Sequence, residues 1–356
     1  MSKMGKCLLI FGMIALAGAI LFGITVAAFG VKDGNYGISI DGVPVNNSIF
    51  GGFGMGNLIS ANSGIRFRDN MTNYDYDYEN NKAYTHEFGA EGLKNISVGL
   101  INCHADITCS DTDKVGLVYT TGSKKVDFSA VMSDGKLTIE EKSAAWTLGF
   151  GSTIHSTLTL TLPRAMYEEI TFDLASGNIT AKELTSLKLA ANVASGSMEL
   201  SEAADTIKLN IASGKIIMDN FNNNTSSSID VNVASGSVEM SGYKCAKTKA
   251  ELASGSVTLN GISGDVDGQL ASGKLILNYA VWDGDLDVEL TSGKVDVTLP
   301  EGSGADVDFE RMSGSMSIDL DGKSVKLTGN SNTTVGGENV HKIKAETLSG
   351  SVSIHN

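Results

Sequence analysis

From residue 172 onward apolar and polar positions alternate in short runs, and each run turns at a small tripeptide. The unit is apolar-Ala-Ser-Gly-x-apolar-x-apolar. Its glycines are Gly177, Gly196, Gly214, Gly236, Gly255, Gly273, Gly293, Gly314 and Gly350, with looser copies at Leu290-Thr-Ser-Gly293, Met312-Ser-Gly314 and Leu348-Ser-Gly350. Successive glycines are 19, 18, 22, 19, 18, 20, 21 and 36 residues apart. A fixed period of about 20 residues marks a solenoid. The last step is close to two periods and predicts a degenerate copy near Gly329.

Alternation on both sides of the glycine is that of strands. Apolar residues stand five and three positions before it (Leu209 and Ile211; Val231 and Val233) and two and four after it (Val238 and Met240; Leu275 and Leu277). The interval between the two sets is odd, so one residue must be absorbed at Ala-Ser-Gly if both strands face inward. The tripeptide is therefore a corner, where glycine is expected to supply positive φ and serine to bond nearby backbone. Ile262-Ser263-Gly264-Asp265-Val266 predicts a second corner halfway round a coil. The expected fold is all-β, a single-stranded β-solenoid of about ten ~20-residue coils rising ~4.8 Å per coil. It occupies residues 171–356. Residues 85–170 are strand-like without the octet (Ile96-Ser-Val98-Gly-Leu100; Thr157-Leu-Thr-Leu-Thr-Leu162) and read as an N-terminal β cap with irregular first coils.

Three segments carry a family resemblance: Ile96 to Asp111, with Asn102-Cys-His-Ala-Asp-Ile-Thr-Cys109 at its centre; Leu162-Pro-Arg-Ala-Met-Tyr-Glu-Glu-Ile-Thr-Phe172; and the Ser-Gly repeats. Over roughly residues 90–356 the chain resembles the bacterial β-strand-repeat family named putative adhesin, a domain of unknown function. The resemblance implies an envelope protein, often membrane-anchored, in some members tied to envelope-stress systems. It supplies no catalytic residue.

Cys7 to Val31 is a run of 25 residues without a charge. As a helix it would span roughly 37 Å, more than the ~30 Å hydrocarbon core. Lys3 and Lys6 precede it, which keeps residues 1–6 cytoplasmic and exports the rest. The expected organisation is a signal-anchor helix at 7–31, a juxtamembrane stalk at 32–84 and an extracellular C-terminal domain, a single-pass protein of the cell membrane. A cleaved signal peptide, with Val26-Ala27-Ala28 at the cut, is the alternative. Within the stalk, Gly51-Gly52-Phe53-Gly54-Met55-Gly56 has no leading strand pattern and no following Lys-Ser/Thr, so it reads as a linker and not a phosphate cradle.

Charge narrows the partners. The net charge is −14, against nucleic-acid binding, which needs a basic patch. No cofactor or metal is expected. Cys103 and Cys109, six apart on an extended run, stand ~20 Å from each other, too far for one metal or a disulfide; Cys245 is expected on a turn. Ser241-Gly-Tyr-Lys244 lacks the companion motifs of a penicillin-recognising enzyme. The Asp-x-Asp pairs 265/267, 285/287 and 306/308 lack the calcium-solenoid pattern and read as a solvated acidic face.

One polar column appears when the repeats are aligned. Four positions before each glycine stand Asp173, Asn192, Asn210, Asn232, Glu251, Gln269, Glu289, Glu310 and Glu346, all acidic or amide. They should face outward as a stripe, with the amides bonded along it. Glu251, Glu289, Glu310 and Glu346 form the candidate binding stripe. Glu289 and Glu310 are expected to be repelling neighbours, balanced by Lys274 and Lys294 or by a bound cation, including a cationic peptide. The plain alternative is a solvated polar face. The leading functional expectation is a non-enzymatic, adhesin-like or envelope-stress binding scaffold with a glycan, cationic peptide or protein ligand. A β-helical polysaccharide lyase or hydrolase is the second, and a cytoskeletal β-solenoid polymer the third, disfavoured by the apolar run. The oligomeric state is left open.

Overall fold

The computed structural model describes residues 83–122, 126–143, 156–220 and 225–356, preceded by short isolated strands. The expected anchor at 7–31 and most of the 32–84 stalk lie outside the described residues. Strands β1 (Ser39–Ile40), β2 (Val43–Pro44), β3 (Ile65–Arg68) and β4 (Asn73–Tyr76) come first. Then follow β5 (Ala83–Gly89), β6 (Asn95–Ser110), β7 (Lys114–Thr121), β8 (Val126–Ser133), β9 (Lys136–Ser143) and β10 (Ser156–Pro163). The Ser-Gly repeats form β11 (Met166–Val193), β12 (Ser197–Ile211), β13 (Lys215–Asp219), β14 (Thr225–Val233), β15 (Ser237–Ser241) and β16 (Lys244–Leu252). They continue as β17 (Ser256–Ile262), β18 (Asp265–Leu270), β19 (Lys274–Tyr279), β20 (Leu286–Leu290) and β21 (Lys294–Thr298). The last strands are β22 (Ser303–Arg311), β23 (Ser315–Leu320), β24 (Lys323–Leu327), β25 (Ser331–Gly336), β26 (Asn339–Thr347) and β27 (Ser351–His355).

The architecture is all-β, a largely parallel sheet wrapped around an axis. Each rung is a strand before the Ser-Gly corner and a strand after it, and each pairs in parallel with its counterpart in the next rung. Thus β14 pairs with β16 and β16 with β18, while β15 pairs with β17 and β17 with β19. The inward positions are those the alternation assigns. Leu209, Ile211, Ile216 and Met218 are all buried, each contributing ~1.5–3 kcal/mol of gross burial. A single rung cannot close its own core, so stability comes from stacking.

The corners are bonded rung to rung. The N–H of Ala194 donates to Leu174 O (2.8 Å), Ser195 N to Ala175 O (3.0 Å) and Lys215 N to Gly196 O (3.0 Å). Of the nine repeat glycines only Gly177 has positive φ (99°), so the expected reason for glycine is corrected at the other eight, whereas Gly264 of the second corner does have positive φ (75°). A Cβ at Gly214 would overlap the carbonyl oxygen of Gly196 and the side chain of Val193, and the same holds at Gly236 against Gly214 and Ile211. Glycine is there because stacked corners approach too closely for a side chain.

The rungs do not stack in chain order at either end. After β20 and β21 the next rung in space is β26 with β27 (Glu289↔Glu346, Asp296↔Ser353). Strands β22 and β23, which precede them in sequence, lie on the far side (Glu310↔Glu346, Ser317↔Ser353). The end rung is reversed, β25 pairing antiparallel with β22 and β24 with β23. The degenerate parallel copy expected near Gly329 is therefore replaced by this antiparallel return. The N-terminal end repeats the arrangement. Strand β6 lies between β11 on one side and β9 with β10 on the other, all parallel, and β8 and β7 run antiparallel to β9 and β10.

Candidate functional site

The polar column is continuous, and its two halves are built differently. Asn192 Nδ2 donates to Asp173 Oδ1 (2.7 Å), Asn210 Nδ2 to Asn192 Oδ1 (2.7 Å) and Asn232 Nδ2 to Asn210 Oδ1 (3.1 Å). An ionised Asp173 only accepts, so it fixes the direction of every amide above it. Asp173 and Asn192 are buried, against the outward expectation, while Asn210 and Asn232 are half-buried. Burial pushes the Asp173 carboxyl up and the Asn192 bond draws it down. Next comes Glu251 (Asn232↔Glu251), which cannot donate to an amide oxygen. Its charge is met on its own strand by Lys249.

The carboxylate half runs Glu251, Gln269, Glu289, Glu346, Glu310. Glu289 and Glu310 are thus not neighbours, because the β26 rung places Glu346 between them. The counter-charge is also corrected. Lys344 bonds Glu346 (3.0 Å) on its own strand and Asp287 (3.5 Å) across the rung, whereas Lys294 turns to Asp296 (3.2 Å). The sequence shows why the inserted rung fits. It reads Lys344-Ala-Glu346 and lies between Asp287-Val-Glu289 and Asp308-Phe-Glu310, so Lys344 separates Asp287 from Asp308 while Glu346 stands as a third carboxylate between Glu289 and Glu310. Burial first, then Glu346, raises the Glu289 carboxyl.

Other polar groups are structural. At β6 the corner has no Ser-Gly. There buried Glu141 accepts from Ile101 N (2.9 Å) and Asn102 N (3.1 Å) through Oε2 and from the Tyr119 hydroxyl (2.9 Å) through Oε1. The carboxylate stands in for carbonyls that a neighbouring corner would present. Glu202 is fully buried, takes one bond from Ser186 (2.7 Å), and burial pushes its carboxyl up to about 8. Cys103 is buried, Cys109 half-buried with its thiol pushed up to about 11 by burial, and Cys245 is buried on β16, not on a turn. Tyr243 of the Ser241–Lys244 motif is buried and donates to Glu202 O (2.7 Å). Asp265 and Asp285 accept backbone N–H groups of the following rung, from Asp285 N (2.9 Å) and Lys342 N (2.9 Å). Among the described residues no group of His, Cys, Asp and Glu is placed to hold a metal ion. Sequence reading missed Lys344, Glu141 and Glu202: Lys344 meets Asp287 from a rung out of chain order, Glu141 on β9 serves β6 and β7, and Glu202 takes its bond from Ser186 on the neighbouring strand β11. The Lys-x-Glu spacing at 249/251 and 344/346 was the available signal.

Comparison with solved structures returns bacterial proteins. A putative adhesin of Bacteroides fragilis is 11% identical, with 77% of this chain and 97% of that one covered and a TM-score of 0.42. A putative adhesin of Parabacteroides distasonis is 12% identical, with 81% and 99% covered and a TM-score of 0.42. A putative lipid binding protein of the same organism is 14% identical, with 76% and 96% covered and a TM-score of 0.38. No curated protein matches. The family model described as Toastrack DUF4097 matches residues 93–355, most of the chain and the whole of its stacked rungs. The chain belongs to the Toastrack DUF4097 family.

Proposed function

We propose that this chain is a non-enzymatic, adhesin-like binding scaffold of the cell envelope, held at the membrane through residues 7–31, with the carboxylate half of its polar column as the ligand-facing surface. The observation that carries the reading is the stacking of Glu289, Glu346 and Glu310 on consecutive rungs, with Lys344 set among them. Neighbours ~4.8 Å apart hold like charges at a fixed spacing, which suits an extended ligand carrying regularly spaced positive charge or hydroxyls, such as a cationic peptide or an envelope glycan. The names of the solved proteins, adhesins and a lipid binding protein, agree with a binding role. Two experiments test the reading. A reporter fused after Asn356 should be active outside the membrane, and cytoplasmic activity would overturn the location. The full chain, incubated with envelope and plant polysaccharides, should retain them without releasing fragments. Fragment release would favour a β-helical carbohydrate-active enzyme.

A further inference from the structure

The C-terminal rung occupies a slot. Strands β26 and β27 pair in parallel on one side with β20 and β21 and on the other with β22 and β23. Ile343, Ala345, Val352 and Ile354 from this rung are buried in the core. Without them, two parallel edges would face each other roughly 9–10 Å apart, each with unpaired N–H and C=O groups. Trp282 spans the slot from the β19–β20 connection. Its Nε1 donates to Gly304 O (2.9 Å) in the far rung, and its carbonyl accepts from Asn339 Nδ2 (2.7 Å) in the inserted one. Charge makes the slot selective, since Lys344 enters between the Asp287 and Asp308 rows. The chain reaches the slot from the reversed end rung by the crossover Gly336-Gly337-Glu338, which passes the start of β22 with Gly337 N on Ser303 O (2.9 Å). Close approach demands glycine there: a Cβ on Gly337 would meet the backbone of Gly302, and one on Gly336 the carbonyl of Ser303. Strand β6, the inserted rung at the other end, is continuous with β5 before it and β7 after it.

We infer that residues 339–355 are exchanged between copies of this chain, each lending β26 and β27 to the other's slot between β20–β21 and β22–β23. Every contact of the rung is kept in the exchanged form, and a short, tight connection opened into an extended hinge is the circumstance that favours such swapping. Fully extended, three residues reach ~10 Å, enough to leave the parent slot. The partner is thus a second copy of the chain, and the inference is independent of what the polar column binds.

The test uses two differently tagged full chains, one with Ser317→Cys and one with Ser353→Cys. These serines face each other across β23 and β27 with their hydroxyl oxygens 3.4 Å apart. After incubation of the mixture in mild urea and oxidation, a disulfide-linked species carrying both tags is expected, several-fold above a mixture of either variant with wild type. A chain bearing both substitutions should cross-link internally. If that chain cross-links and the mixture yields no two-tag species above the control, exchange is overturned. If the double variant fails to cross-link, the β23–β27 pairing and the slot built on it are overturned as well.

Discussion

Gly214→Ala separates two explanations of the corner. The methyl group would overlap Gly196 O and the Val193 side chain. That carbonyl is also the acceptor of Lys215 N at 3.0 Å, so it cannot retreat without lengthening a ladder bond. Overpacking of this kind costs roughly 1–3 kcal/mol, and weakening the bond adds about 1 kcal/mol. The expected loss is therefore about 2–4 kcal/mol, a drop of the urea midpoint by about 1 M or more, read by circular dichroism on the full chain. Gly214→Asn is the decisive companion. Asn tolerates left-handed backbone better than other residues, so it would rescue a corner that needed positive φ. A corner limited by close approach rejects Asn at least as strongly as Ala. Gly302 offers the opposite case, with φ +79 and open space around a Cβ, and there Asn should cost less than Ala. A Gly214→Asn chain as stable as wild type would refute the reasoning.

Further expectations follow from the buried polar groups. The raised Glu202 carboxyl means that the folded state holds its proton more tightly than the unfolded chain. Its contribution is full below the ordinary value of 4.5 and is lost as pH rises through about 8; Glu202→Gln should flatten the fall in melting temperature over that window, and equal slopes would refute it. Asn210→Ala removes the donor to the buried Asn192 oxygen, so a loss of ~1–3 kcal/mol is expected, and an unchanged denaturation curve would remove the amide ladder from the stability account. Glu141→Leu strips the acceptor from Ile101 N and Asn102 N; hydrogen exchange at those two amides should accelerate and stability fall by ~2–4 kcal/mol, whereas unchanged exchange would show that the carboxylate does not hold the corner.

What could be read from the sequence was whatever the repeat expresses locally. The alternation around each glycine assigned the inward side chains, such as Leu209, Ile211, Ile216 and Met218, because strand period and burial are properties of a few adjacent residues. The column of Asp173 and its amides was visible for the same reason. The order of the rungs was not. Parallel neighbours are chosen by complementarity between distant segments, and nothing near Leu348-Ser-Gly350 says that its rung slips between β20–β21 and β22–β23. The clue lay in charge at one column: Asp287 and Asp308 would repel if stacked directly, and Lys344 of the inserted rung separates them. The corner glycines were located correctly but for another reason, since close approach depends on the neighbouring rung.

The most direct test of the binding role is calorimetry of a lysine-rich peptide, and separately of Ca²⁺, against the full wild-type chain and a Glu289→Gln/Glu346→Gln/Glu310→Gln variant of matched melting temperature. The proposed role predicts saturable heat with the wild type for at least one probe and a several-fold loss in the variant. Equal heats for the two proteins would contradict the assignment of the carboxylate column as the ligand-facing surface.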